Sequence, residues 1–108
     1  MDVPEIDIDE AARRIAAGTP VIDVREPDEY EDGHVPGAPL IPLTVVPDRV
    51  NEIPAGGEVL IICKLGGRSL KAAEYLRAQG IDAVNIVGGT MGWIDAGHRV
   101  VTGDEPGS

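Results

Sequence analysis

The sequence contains no phenylalanine, and its aromatic residues are Trp93, Tyr30 and Tyr75. A core of packed large rings is therefore excluded, and the interior has to be assembled from Val, Ile, Leu and Ala. Cysteine occurs once, at Cys63, so no internal disulfide can form. That usage fits a reducing compartment, and a cytoplasmic location is expected. Histidine occurs twice, at His34 and His98. Together with one cysteine at these spacings they do not compose a zinc site, and no metal or organic cofactor is expected. Basic residues are scarce, nine against 19 acidic ones, for a net charge of −10. A nucleic-acid partner is excluded on that ground, because binding to a phosphate backbone rests on a basic surface. No run approaches the ~20 apolar residues of a membrane span. The opening Met1-Asp2-Val3-Pro4-Glu5 has neither the basic start nor the apolar stretch of a signal peptide.

What the chain does have is aliphatic strands alternating with helical patterns. Its 108 residues predict one domain over residues 1–101. Residues 102–108 have nothing to bury and predict a disordered tail. Residues 5–8 alternate as a short edge strand. Asp9 caps a helix over residues 10–17, ended by Gly18. Residues 21–24 read as a buried strand, and Pro27 opens a short helix whose start suits Asp28 and Glu29. Residues 40–43 read as a strand kept near an edge by prolines, and Thr44 caps a weak helix to residue 51. Residues 59–62 are the most apolar strand and are placed centrally, covered on both faces. The clearest helix spans residues 69–79, with Leu70, Ala73 and Leu76 as its apolar stripe and Gly80 at its end. Residues 83–87 are the last strand, and 91–96 a short final helix after Gly88-Gly89-Thr90. This alternation implies the α/β class, a mostly parallel sheet with helices on both faces. Ligands in such sheets sit at the carboxyl ends of the strands, and Cys63 follows the central one.

The stretch from Val59 to Ser69 carries the chemistry. Four apolar residues lead into Cys63, then come Lys64, Leu65, Gly66, Gly67, Arg68 and the helix. The glycines let the backbone curl without Cβ clashes, so that several N–H groups can converge on one point as an anion nest. The helix N-terminus favours negative charge at the same place, and Lys64 and Arg68 bring positive charge nearby. A cysteine so placed should be a thiolate at neutral pH, and the thiolate is the nucleophile. Lone cysteines are more often small buried hydrophobes, but that reading leaves the arginine and both glycines without a reason. A P-loop is excluded, since the stretch lacks its upstream glycine and its lysine. His34 sits in a Gly/Pro turn and reads as a structural imidazole rather than as the base of a Cys/His pair.

Three segments resemble the single-domain rhodaneses, a sulfurtransferase family. Asp23-Val24-Arg25 through Glu29-Tyr30, with Gly33-His34-Val35-Pro36-Gly37-Ala38, is similar to the family's first signature. Cys63-Lys64-Leu65-Gly66-Gly67-Arg68-Ser69 resembles its active loop, Cys-x-x-Gly-x-Arg-Ser, and Gly88-Gly89, Trp93 and Ala96-Gly97 resemble its terminal signature. The resemblance implies a five-stranded, mostly parallel sheet flanked by helices on both faces. It implies that Cys63 is catalytic: it takes a sulfane sulfur from a small donor such as thiosulfate, holds it as a persulfide, and passes it to cyanide, a thiol or a protein acceptor. Lys64, Leu65, Gly66, Gly67, Arg68 and Ser69 would form the loop that binds substrate and persulfide. Arg68 would point its charge at that loop or steady it, and Lys64 is the candidate for an anionic donor. Asp23 and Arg25 would hold the loop framework without touching substrate, and Trp93 would belong to the core. Leu65 departs from the small or polar residue that relatives often carry there. No nucleic acid, membrane or metal is implied, and the chain is expected as a monomer or weak dimer.

Two rival readings remain. Related folds carry phosphatases and arsenate reductases whose Cys-x5-Arg loop rings a tetrahedral oxyanion. Here four residues separate Cys63 from Arg68, one too few. The other rival is a sulfur-carrier or regulatory binding module on the same fold, with little activity toward thiosulfate.

Overall fold

Nearly pure aliphatic sequence forms β3, Glu58–Ile62, and its last four residues are buried. The computed structural model describes residues 2–107. On one side β3 pairs with β2, Val21–Asp23; on the other it pairs with β4, Asp82–Ile86. Beyond β4 lies β1, Glu5–Ile6, giving the order β1-β4-β3-β2 with every pair parallel. Parallel neighbours need crossover connections. These are α1 (Ile8–Ala16) between β1 and β2, α2 (Pro27–Asp32) and a 3-10 stretch (Leu43–Glu52) between β2 and β3, and α3 (Gly67–Ala78) between β3 and β4. A last helix, α4 (Gly89–Asp95), follows β4.

Side chains alternate across a strand. β3 therefore sends Val59 and Ile61 to one face and Leu60 and Ile62 to the other. The first face packs with Ala72, Ala73 and Leu76 of α3, and the second with Ala11 of α1 and Trp93 of α4. Each fully buried aliphatic side chain contributes about 1.5–3 kcal/mol. Cys63 continues the alternation onto the α3 face. That parity brings its sulfur to the start of α3.

The α/β class, the parallel sheet and the helices on both faces are as expected, but the sheet has four strands rather than five. The fifth was expected at residues 40–43. There the chain runs beside β2, with Asp23 donating to the Pro39 carbonyl and Ile41 to the Asp23 carbonyl, yet only one bridge forms, between Asp23 and Leu40. Pro39 and Pro42 have no N–H with which to extend a ladder, and the chain turns into the 3-10 stretch at Leu43.

Several boundaries also move. Asp7, not Asp9, caps α1 by accepting the Glu10 N–H at 2.9 Å, so the first strand ends at Ile6. α3 starts at Gly67 rather than at residue 69, and α4 starts at Gly89 rather than at residue 91. Before α3 the turn is absorbed by Gly66 at φ +125°, leaving Gly67 free to begin the helix; before α4 it is shared by both glycines, Gly88 at φ +95° and Gly89 at φ +59°. The buried face of α3 is Ser69, Ala72, Ala73 and Leu76, with Leu70 half-buried.

Residues 102–107 carry hydrogen bonds that the expectation of a disordered tail did not include. Gly103 donates to the Glu31 carbonyl, and Gly37 donates to the Pro106 carbonyl, each at 2.9 Å. Just before them, Val101 and His34 exchange both backbone hydrogen bonds. The His34 ring is fully buried and stacks on Tyr30 with centroids 3.6 Å apart. Its Nδ1 lies 2.7 Å from the Tyr30 carbonyl and its Nε2 2.8 Å from the Glu105 carbonyl. Tyr30 is the largest fully buried side chain; its hydroxyl donates to the Ala38 carbonyl.

A chain ended after Val101 leaves a buried ring nitrogen without the Glu105 carbonyl. It is expected to be about 1–3 kcal/mol less stable to urea; an unchanged unfolding midpoint would show that the tail bonds add nothing to the folded state.

Candidate active site

Cys63 sits at the carboxyl end of β3 and is 1% exposed. Only Lys64, Leu65 and Gly66 separate it from α3. The positive φ of Gly66 closes this short connection and brings its N–H to 3.1 Å from Sγ. Ser69, in the first turn of α3, places Oγ at 3.3 Å from Sγ.

The loop is oriented from outside. The Cys63 carbonyl accepts the Thr90 N–H at 2.8 Å and the Thr90 hydroxyl at 3.1 Å. The Lys64 carbonyl accepts the Met91 N–H, and the Leu65 carbonyl the Gly88 N–H, both at 3.1 Å. In a trans peptide the C=O and the following N–H point opposite ways. Three carbonyls held toward the start of α4 therefore turn the next three N–H groups away from it. Those of Leu65 and Gly66 act on the sulfur. The approach is so close that a Cβ on residue 89 would lie 2.4 Å from the Lys64 oxygen and 2.6 Å from the Cys63 oxygen. Glycine is required there.

Burial pushes the Cys63 thiol up. Hydrogen bonds from the Ser69 hydroxyl and from the amides of Ser69, Gly66 and Leu65 push it down and outweigh burial, so it titrates below the ordinary thiol value. Arg68 is engaged elsewhere. Its guanidinium forks onto Glu29 at 2.7 and 2.9 Å, and that partner holds the Glu29 carboxyl down at about 2. Glu29 also accepts the Glu26 N–H in the capping box of α2. The pair thus clamps the start of α3 to the start of α2.

Asp23 and Arg25 form a second, buried pair. Arg25 reaches Asp23 through Nε and Nη2, at 3.0 and 2.8 Å, and its Nη2 also donates to the Gly33 carbonyl at 2.8 Å. They tie the end of β2 to the turn after α2. Lys64 is exposed and makes no ion pair among the described residues. It lines a cavity of about 210 Å³ with Arg25, Glu29, Thr90, Met91 and Ile94. Leu65, at the tip of the loop, is 66% exposed. His34 has both ring nitrogens at backbone carbonyls and is not placed beside Cys63. Among the described residues no cluster of His, Cys, Asp and Glu could hold a metal ion.

Four further residues, not singled out from the sequence as part of the site, shape it. Thr90 and Glu29 act as described. Asn85 accepts from Ser69 Oγ at 2.5 Å, and its Nδ2 donates to Glu5 Oε2 at 2.8 Å and to the Gly66 carbonyl at 3.2 Å. Asn85 has a sequence signal, a polar residue inside an otherwise apolar strand, which when buried has to find partners. Glu5 has none, being one carboxylate among 19, and Glu29 falls within the first segment of the resemblance, where nothing in the sequence marks it as the partner of Arg68.

Comparison with known proteins gives a consistent set. A family model described as "Rhodanese-like domain" matches residues 7–96. A protein of Allochromatium vinosum named "Sulfurtransferase" is 37% identical over 102 residues, which cover 92% of this chain and 95% of that protein. "Putative sulfur carrier protein YrkF" of Bacillus subtilis is 38% identical over 94 residues, 84% of this chain and 51% of that longer protein. The crystal structure of a rhodanese-related protein from Thermoplasma volcanium is similar with a TM-score of 0.86 at 31% identity, covering 91% of this chain and 97% of that one.

Gly89→Ala should drive the loop off α4. The Cys63 thiol is expected to titrate higher in an alkylation-rate profile against pH, with a loss of about 1–3 kcal/mol of stability; an unaltered profile would show that this approach does not orient the loop. Glu29→Gln tests the clamp. The folded carboxyl titrates near 2 against an ordinary 4.5, so the pair's contribution is full above about pH 4.5 and is lost as the pH falls through about 2. Both partners are partly exposed, at 35% and 27%, so the contribution is about 1 kcal/mol or less. Urea unfolding of the two chains should differ at pH 7 and converge below about pH 2. A constant difference would mean that the loss is steric.

Proposed function

The chain belongs to the rhodanese-like domain family, and from that premise we propose that it transfers sulfane sulfur through Cys63, from an anionic donor such as thiosulfate to a thiophilic acceptor. The Cys63 thiolate attacks the outer sulfur of the donor. The donor's S–S bond breaks, its electron pair leaves with sulfite, and Cys63 holds a persulfide whose charge lies on the outer sulfur. The acceptor, cyanide or a thiol, then attacks that sulfur, and the electron pair of the second S–S bond returns to Cys63. Splitting the transfer in this way replaces one direct displacement between two anions by two displacements at a positioned sulfur.

The observation that carries the reading is the set of donors on one sulfur: the Ser69 hydroxyl and the amides of Ser69, Gly66 and Leu65. They favour a thiolate at rest and an anionic sulfur during transfer. Lys64, at the edge of the 210 Å³ cavity, is placed to attract an anionic donor. Phosphatase or arsenate reductase chemistry is disfavoured by two features. The helix already begins at Gly67, which leaves no room for a wider ring, and Arg68 is committed to Glu29 rather than free for an oxyanion.

A second reading concerns the acceptor. Leu65, Val87, Met91 and Ile94 are exposed apolar residues. Backbone hydrogen bonds from Gly88 to Leu65 and from Met91 to Lys64 bring their segments together beside the loop. A free anion has no use for such a rim, whereas a protein thiol does. This supports a sulfur carrier that serves a protein, in keeping with the name of the Bacillus relative.

Intact mass after incubation with thiosulfate is the test. A gain of about 32 Da, one sulfur atom, is expected to map to Cys63 and to vanish on reduction. Cys63→Ser should gain nothing and transfer nothing while keeping its fold. Absence of the gain with thiosulfate, mercaptopyruvate and a persulfidated protein alike would overturn the reading in favour of a binding module.

A further inference from the structure

Asn85 lies in β4 abreast of Ile61 in β3 and of Glu5 in β1. Its Nδ2 faces two oxygens that can only accept, Glu5 Oε2 at 2.8 Å and the Gly66 carbonyl at 3.2 Å. The orientation of the amide follows from these neighbours, and Oδ1 faces Ser69. Ser69 Oγ lies 2.5 Å from that oxygen and 3.3 Å from Cys63 Sγ. An amide oxygen cannot donate, so the shorter contact needs the hydroxyl proton within it. Ser69 has one such proton, and two acceptors compete for it.

Two arrangements follow. With Cys63 as a thiol, S–H donates to Ser69 Oγ and Ser69 donates to Asn85, in a single chain. With charge on Sγ, the sulfur itself calls for the Ser69 proton. Asn85 Oδ1 then either stands without a donor in a buried place or turns away, and a turned amide sets that oxygen against Glu5 and the Gly66 carbonyl. The carboxylate is the stronger obstacle, because it carries full charge.

We propose that Glu5, acting through Asn85, decides whether the Ser69 hydroxyl serves the amide or the Cys63 sulfur, so that Glu5 and Asn85 are positioning residues for the reacting atom. The proposal rests on the reading of Cys63 as that atom. It gives the transfer cycle a donor that arrives when Sγ is charged and withdraws when loading moves the charge to the outer sulfur.

The lone cysteine makes the test direct. The rate of iodoacetamide alkylation against pH reports the Cys63 thiol without any sulfur transfer. Glu5→Gln is expected to lower its titration by about half a unit or more, with Lys64 and the Arg68–Glu29 pair unchanged. In a Ser69→Ala background the same substitution should shift nothing. Equal shifts in the two backgrounds would mean that Glu5 acts by charge through space, and would overturn the proposal, as would no shift with Ser69 present. Should Ser69→Ala not fold, Asn85→Ala closes the same cycle, since Glu5→Gln should be silent once the amide is gone, and a persisting shift would again overturn it. A chain that forms no persulfide would defeat the sulfurtransferase reading while leaving this titration readable, so the two failures are distinct.

Discussion

Three consecutive carbonyls, those of Cys63, Lys64 and Leu65, are held by N–H groups at the start of α4, and the rest of the site depends on that restraint. Peptide planarity converts it into inward-pointing amides. The restraint needs β4 beside β3, because β4 delivers Gly88 and Gly89 to the carboxyl end of the sheet. It also needs residue 89 to have no side chain. The parity of β3 does the remaining work by putting Cys63 on the α3 face. Sheet order, strand parity and one missing Cβ together place a sulfur atom among donors.

The electrostatics of the site are unusual for an acidic chain. A net charge of −10 would be expected to oppose an anion, and the arginines nearest the loop do not answer it, since Arg68 is tied to Glu29 and Arg25 to Asp23. The sulfur is stabilised by neutral dipoles, of which the amides of Leu65, Gly66 and Ser69 are fixed in place before any charge forms while the Ser69 hydroxyl is shared with Asn85. Fixed dipoles need no rearrangement when charge develops, and a small number of them suits one sulfur atom better than a tetrahedral oxyanion. The ion pairs instead clamp the frame around those dipoles, α2 to α3 and β2 to the turn after α2.

How much of this is legible in the sequence depends on the range of the interaction. The α/β class is legible because aliphatic runs and helical stripes are local. The strand, loop and helix around Cys63 are legible because Val59 to Ser69 is a single continuous stretch. Helix starts at Gly67 and Gly89 are not, because glycine pairs read as turns, and only the structure shows Gly66 taking the turn alone before α3 and Gly88 and Gly89 sharing it before α4. The sheet edge is misread at residues 40–43 because prolines there read as the mark of an edge strand, whereas Pro39 and Pro42, with no N–H to give, end the pairing after one bridge. The partners of Glu29, Glu5 and Thr90 are invisible because each acts across the fold, 39 residues from Arg68 in the first case and 80 from Asn85 in the second. Asn85 stands between these extremes, conspicuous in an apolar strand but silent about its partners.

The way the last residues attach has its own consequence. Gly103 contributes an N–H, and Glu105 and Pro106 contribute carbonyls, to Glu31, His34 and Gly37. Every one of these groups on the tail is main chain. Apart from Gly103 and Gly107, whose φ values of +96° and +70° favour glycine, side chains there are free to drift without disturbing the attachment, whereas inserting or deleting one residue between Val101 and Glu105 would put the wrong peptide unit opposite His34. Outside its two glycines this segment is therefore tolerant of substitution and intolerant of changes in length, the reverse of an ordinary surface loop.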